Sequence, residues 1–454
     1  MLNYTEKEKY DRSALRINPA KTCQPVGAMY AALGVHECMP HSHGSQGCCS
    51  FHRMFLTRHF KDPAIASSSS FTEGSSVFGG GSNLKTAAKN IFDIYNPRII
   101  AVHTTCLSET IGDDLNSLLQ GIEVPEGKVM VHTNTPSYKG SHVTGFSNMV
   151  SGFIKYLSVS TGKKNGKVAI IPGFVNPGDM REMKRIATAM GVDFTMLPDT
   201  SGVMDSPMTG KFEMYPKGGT TVEEIIELGD CELTLALGKL TSEVPAVDLK
   251  KKCGVPFQSL ALPMGIGKTD EYIMALQAHS KIEVPYELEE ERGQLVDILI
   301  DIHTYTFNKK VAIFGDPDTV LGLAEFVLEM GMIPKYLVTG TPGVEFEKIA
   351  AELFTKFGVE GCKAKAAADL YELHQWIKEE GVDLLIGGTH GKHIARAEDI
   401  PFVRAGFPII DRYVHSYMPL VGYKGGMRLA EMITNAILDR QDRDCAEEDF
   451  EMVL

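Results

Sequence analysis

A chain of 454 residues with 43% apolar and 23% charged content has the composition of a soluble globular protein and the length for several domains. Its net charge of -13 at pH 7 argues against non-specific nucleic-acid binding, which needs a basic face. No apolar run approaches the roughly 20 residues that span a bilayer, and residues 1–9 lack the apolar core of a signal peptide, so no membrane association and a cytoplasmic location are expected. Nine cysteines, an odd number without short-framework spacing, then read as free thiols or metal ligands rather than disulfides.

In chain order, residues 1–20 are polar and look like an arm lying on something else. Residues 27–33 form an apolar helical turn or two. Residues 44–47 form a glycine-bearing loop, and 48–60, free of Gly and Pro, predict a helix. Loop signals recur at 67–70 and 79–81. Leu84, Ala87, Ala88, Ile91, Phe92 and Tyr95 recur at helical spacing until Asn96-Pro97 stops the helix. Strands are predicted at 98–104 and 129–133.

The polar, Gly- and Lys-rich stretch 158–167 marks a boundary. A second unit follows, with strands at 168–171, 194–197 and 233–237 and helices at 179–190, 269–278 and 288–305. A third has strands at 311–314, 336–339, 384–386 and 402–404 and helices at 318–329 and 370–380. A closing helix carries a stripe of Leu429, Met432, Ile433, Ala436 and Ile437. Repeated strand–helix alternation predicts an α/β protein with parallel sheets in three domains, 1–157, 158–308 and 309–454. The acidic tail 441–454 is expected to pack on a partner.

Three cysteines stand out: Cys23 in Thr22-Cys23-Gln24-Pro25, Cys48 after His43-Gly44-Ser45-Gln46-Gly47, and Cys106 after Thr104-Thr105. Each sits where a strand or loop runs into a helix. Such junctions collect at one edge of a parallel sheet, so thiols distant in sequence can meet. Cys48 falls at a helix N-terminus, where backbone N–H groups favour an anionic sulfur. The bland alternative is three core cysteines, but loops rich in Gly, Pro and Thr are poor places for those. Zinc is disfavoured because no local C-x2-4-C pair is present. Read as ligands of an iron–sulfur cluster, three thiolates are one short of the usual four. The remainder must come from water, another residue type or another chain.

Other signals are weaker. Ser137, beyond the 129–133 strand, reads first as a turn residue and second as an oxygen ligand. Gly265-Ile266-Gly267-Lys268-Thr269 imitates the end of a phosphate-binding loop, but Leu262 stands where that motif needs Gly, so it is a decoy. Phe78 beside Gly79-Gly80-Gly81 reads as a flexible loop or as an exposed anchor for a transient partner. His36, His41, His43, His52 and His59 lack paired ligand spacing and read as hydrogen-bonding neighbours of the site or as surface. Cys49 reads as a bystander, because neighbouring helix residues point about 100° apart.

Several runs together resemble the β chains of nitrogenase molybdenum-iron proteins. They are Thr22–Ala28 around Cys23, His43–Cys48, Val77-Phe78-Gly79-Gly80, Thr104-Thr105-Cys106 and Ile111-Gly112-Asp113-Asp114. Thr135-Pro136-Ser137 and Gly140-Ser141-His142-Val143-Thr144-Gly145 continue the match, as do Pro172-Gly173-Phe174, Glu291-Arg292-Gly293, Gly315-Asp316-Pro317-Asp318 and Gly406-Phe407-Pro408-Ile409. The resemblance runs from about Arg16 to the C-terminus, with a shorter leading segment than many such chains carry.

It implies three Rossmann-like α/β domains and an α2β2 heterotetramer with the nitrogenase α chain. It also implies an 8Fe-7S P-cluster shared between the α and β chains. By motif match Cys23 and Cys106 would each bind one iron, Cys48 would bridge the two halves, and Ser137 would be an oxygen ligand of the oxidised cluster. The iron-molybdenum cofactor would belong to the α chain, and the ATP-driven iron protein would dock near Phe78. On this resemblance the chain relays electrons for reduction of dinitrogen to ammonia. A scaffold for cofactor assembly and the β chain of a vanadium or iron-only nitrogenase are the competing readings.

Overall fold

A computed structural model describes residues 20–211 and 213–450. Residues 1–19 of the expected arm and the last four residues of the acidic tail lie outside the described residues. The chain builds three parallel sheets in succession. The first contains β1 (Cys38–His43), β2 (Ser67–Ser68), β3 (Ile99–Thr104) and β4 (Val129–Thr133), in the order β2-β1-β3-β4. The second contains β5 (Val168–Ile171), β6 (Phe194–Met196), β7 (Leu233–Leu237) and β8 (Phe257–Leu260), in the order β6-β5-β7-β8. The third contains β9 (Lys310–Gly315), β10 (Ile333–Thr339), β11 (Lys363–Lys365), β12 (Leu384–Gly387) and β13 (Phe402–Arg404), in the order β11-β10-β9-β12-β13. All strand pairs are parallel, as the α/β pattern predicts.

The central strands β3, β5 and β9 are short apolar runs buried on both faces, as parallel sheets covered by helices require. The strand β1 was not predicted. Its sequence, CMPHSH, is polar and contains Pro40, which argues against a central strand. It is nevertheless buried along its length and pairs with β3 from Cys38↔Ile99 to His43↔Thr104. Its histidines are satisfied locally: the His41 ring bonds Ser67 and Ser69, and the His43 ring bonds Ser69 and Asp113. Pro40 is tolerated because β2 pairs β1 only at His41 and Ser42. The short edge strands β2 and β11 were also missed, as was β8.

The sheets are welded to one another. One apolar cluster joins helices and strands of the second and third sheets, and another joins the first to the second. Three polar ties cross between sheets at motif residues. His142 Nε2 lies 2.7 Å from Asp316 Oδ1, both buried. Asp318 accepts from the Leu240 N–H and the Thr241 hydroxyl. Glu291, on the long helix Tyr286–Thr306, pairs with Arg185 and Lys424.

The expected decoy is one in structure as well. Gly265 opens the helix Gly265–Ser280, but the Ile266 and Gly267 N–H groups donate to the Glu329 carboxylate at 2.8 Å. A side chain of the chain itself therefore fills the anion position, and Thr269 is turned inward onto Pro263 and Gly265 carbonyls. Among the described residues, no helix is long and apolar enough to cross a membrane.

Candidate metal centre

Each of the three cysteines stands at a helix start. Cys23 is the N-cap of the helix Gln24–Leu33. Cys48 lies in the first turn of Gln46–Phe60, which begins two residues earlier than the glycine loop suggested. Cys106 is the first residue of the short helix Cys106–Ile111. The latter two helices follow β1 and β3, adjacent strands of the first sheet, so their starts emerge at the same carboxyl edge.

The two junctions are locked together. The Thr105 N–H and the Ser108 hydroxyl both donate to the His43 carbonyl. Gly44 has φ +152°, and a Cβ there would lie 1.8 Å from Thr105 Oγ1, so only glycine lets these loops approach. Ser45 Oγ donates to Cys48 Sγ at 3.3 Å.

The sulfurs feel one another. Burial pushes the Cys23 thiol up to about 11, and the charges of Cys48 and Cys106 add to the effect. Burial also raises Cys106, followed by its interactions with Cys48. Raised in this way, the Cys23 and Cys106 thiols hold their protons until a metal displaces them. All three are free of disulfides. Cys23 and Cys48 are half-buried and Cys106 is exposed, so the group opens outward. Among the described residues, no set of three or more His, Cys, Asp or Glu side chains is arranged around a single metal ion.

Ser137 occupies a half-buried turn closed by the Lys139 N–H on the Pro136 carbonyl. The turn is clamped to the Cys23 segment by Gln24, a residue that sequence reasoning passed over. Its buried amide donates to the Pro136 carbonyl at 3.2 Å and the Lys139 carbonyl at 3.0 Å. Asn148 Nδ2 donates in turn to Gln24 Oε1 at 3.0 Å and so fixes which end of the amide faces the turn. Lys21 adds a bond to the Gly140 carbonyl.

The histidines are mostly interior, which corrects the surface option for four of them: His41, His43, His52 and His59 are buried. His52 places Nε2 3.4 Å from Cys23 Sγ. Burial lowers its pKa to about 4, which keeps the ring uncharged at neutral pH. Cys49 faces the core and its thiol contacts the Ser67 carbonyl.

The glycine stretch after Phe78 is not a loose loop. Phe78 ends the helix Glu73–Phe78 and Gly81 begins Gly81–Tyr95. The Gly80 N–H is held by the Asp113 carboxylate, and a Cβ on Gly80 would lie 2.0 Å from the Phe71 ring. Phe78 itself is 90% exposed on this firm base.

Comparison with known proteins agrees over the full chain. The family model described as nitrogenase component 1 type oxidoreductase matches residues 23–438. The nitrogenase molybdenum-iron protein β chain of Clostridium pasteurianum is 61% identical over 457 residues, covering 100% of both chains. The β chain of Rippkaea orientalis is 42% identical, covering 97% of this chain and 87% of that one. That of Methanothermobacter thermautotrophicus is 38% identical over 93% and 95%. The solved structure "Nitrogenase Cp1 at pH 6.5" superposes with a TM-score of 0.98 at 61% identity over 100% of both chains. A chain of "Nitrogenase Cp1 at pH 5" shares only 16% identity at a TM-score of 0.69, a likeness of fold alone. The chain, with its three Rossmann-like α/β units, belongs to the nitrogenase component 1 type oxidoreductases, among the molybdenum-iron protein β chains, and is a subunit of that oxidoreductase.

Proposed function

We propose that Cys23, Cys48 and Cys106 hold this chain's half of an 8Fe-7S cluster shared with a nitrogenase α chain in a cytoplasmic α2β2 heterotetramer. One observation carries the reading: three thiols at three helix starts interact with one another at an edge that opens outward. When bound, such a cluster supplies one-electron steps between the iron protein and the iron-molybdenum cofactor, which sits in the α chain. The contribution of this chain is positional. Helix N-termini offer N–H dipoles to anionic sulfur, the Gly44–Thr105 contact fixes the spacing of two junctions, and Gln24 fixes the third against Ser137. Apolar side chains on the segments that carry these residues, Phe51, Met54 and Tyr138, are exposed, as a face covered by a second chain requires. Phe78 on its braced corner is the contact offered to the iron protein.

The scaffold alternative is disfavoured because all four donor residues are present and linked by the same hydrogen-bonded frame. Metal analysis of the purified complex tests the assignment: molybdenum with high iron and sulfide is expected. Vanadium, or iron without molybdenum, would move the chain to one of the alternative nitrogenases.

Ser137 has a distinct expected behaviour. A serine hydroxyl is a poor ligand while protonated, whereas its alkoxide is a hard donor suited to oxidised iron. Ser137→Ala should therefore leave assembly and the reduced state intact while shifting the potential of the oxidised couple and weakening its pH dependence. Redox titrations at several pH values check this, and identical potentials and slopes in both proteins would reduce Ser137 to a turn residue.

A further inference from the structure

We propose that His52 donates an Nε2–H hydrogen bond to Cys23 Sγ and that this bond raises the reduction potential of the iron–sulfur group held there. The inference rests on Cys23 being a ligand, as argued above. Three observations carry it. First, the helix Gln46–Phe60 presents Cys48 and His52 one turn apart, so the residue four positions after one ligand reaches back to another. Second, the Nε2–Sγ separation is 3.4 Å, within reach of a sulfur hydrogen bond, and His52 is only 2% exposed. Third, Nδ1 of the same ring is buried with no hydrogen-bond partner among the described residues.

The third observation selects the tautomer. A neutral imidazole carries one N–H. Placed on Nδ1, that hydrogen would be buried without an acceptor, and Nε2 would turn a lone pair toward a sulfur. Placed on Nε2, it meets the sulfur, and only an acceptor nitrogen is left unpaired, which is the less costly orphan. The surroundings do not oppose this. The Phe51 ring lies edge-on at 6.0 Å and the His103 ring at 6.3 Å. His103 is itself buried and spends Nε2 on the Ser42 hydroxyl. No carboxylate is paired with His52 among the described residues.

The direction of the effect follows. Hydrogen bonds to cluster sulfurs, like burial and net charge, tune reduction potentials. An N–H aimed at a thiolate stabilises negative charge, and the reduced state carries more of it. Removing the donor should therefore move the potential to more negative values.

The test uses the whole tetramer. His52→Phe keeps a planar ring and loses the donor, His52→Leu is a second variant without a donor, and His52→Gln restores an N–H. Iron content and mediated redox titration are read for each, with Cys23→Ala alongside. The expected result is a more negative potential in His52→Phe and His52→Leu at unchanged iron content, with His52→Gln moved back toward wild type. A donor-free variant with full iron and the wild-type potential would overturn the proposal. Cys23→Ala retaining full iron would instead overturn the ligand reading on which it stands.

Discussion

Cys48→Ala is expected to abolish cluster loading and dinitrogen reduction, while Cys49→Ala keeps most of both. The two cysteines are adjacent in sequence, but the helix turns them apart. Cys48 faces Ser45 and the neighbouring thiols, and Cys49 faces the core, where it touches the Ser67 carbonyl. On the proposed reading Cys48 would bridge both halves of the shared cluster, so its loss would remove donors from two irons, whereas Cys49→Ala empties a small apolar volume. That second change costs about 1 kcal/mol, the usual scale for a single substitution. Iron per tetramer and reduction rate, measured on both variants, decide the matter. Equal loss in the two would show that the site, and not one thiol, is sensitive, and would remove Cys48 from its special role.

Gly27→Val is expected to cost about 3 kcal/mol or more and to remove the cluster with the stability, because overpacking a rigid contact exceeds the usual small penalties. A Cβ on Gly27 would lie 1.7 Å from the His142 carbonyl oxygen, and one on Gly145 would lie 1.9 Å from the Gln24 carbonyl oxygen. The helices Gln24–Leu33 and His142–Leu157 thus touch backbone to backbone at a pair of glycines. One carries Cys23 at its cap, and the other begins just after the Ser137 turn. Forcing them apart by even the width of a methyl group breaks the Gln24 clamp as well as the packing. Gly293→Ala is the control. Gly293 sits exposed inside the helix Tyr286–Thr306 with nothing within 4 Å of an added Cβ. It should stabilise by about 0.5–1 kcal/mol through helix propensity. Thermal unfolding of the variants checks both signs.

These two cases show what the sequence made legible. The parallel α/β architecture was readable because apolar runs such as 168–171 and 233–237 are unambiguous, and both strands form at those residues. The cysteines were readable because helix-start signals surround them. The strand β1 was hidden because its hydrogen-bonded histidines look polar until Ser67, Ser69 and Asp113 are placed beside them. Gln24 and His52 were hidden for a related reason. A clamp spanning 112 residues and a bond spanning 29 depend on the tertiary fold, and no local spacing encodes them. Gly27 and Gly145 appear in the motif runs, but only the crossing of two helices explains why neither tolerates a side chain.

The central claim is that this chain supplies part of a cluster and cannot complete it. The direct measurement is iron and sulfide content, with the accompanying spectrum, of this chain purified alone and of the same chain purified with its α partner. The account predicts an intact 8Fe-7S signature only in the complex, because three thiols at an open edge leave the cluster short of ligands. A lone chain carrying the full iron complement and the same spectrum would contradict it.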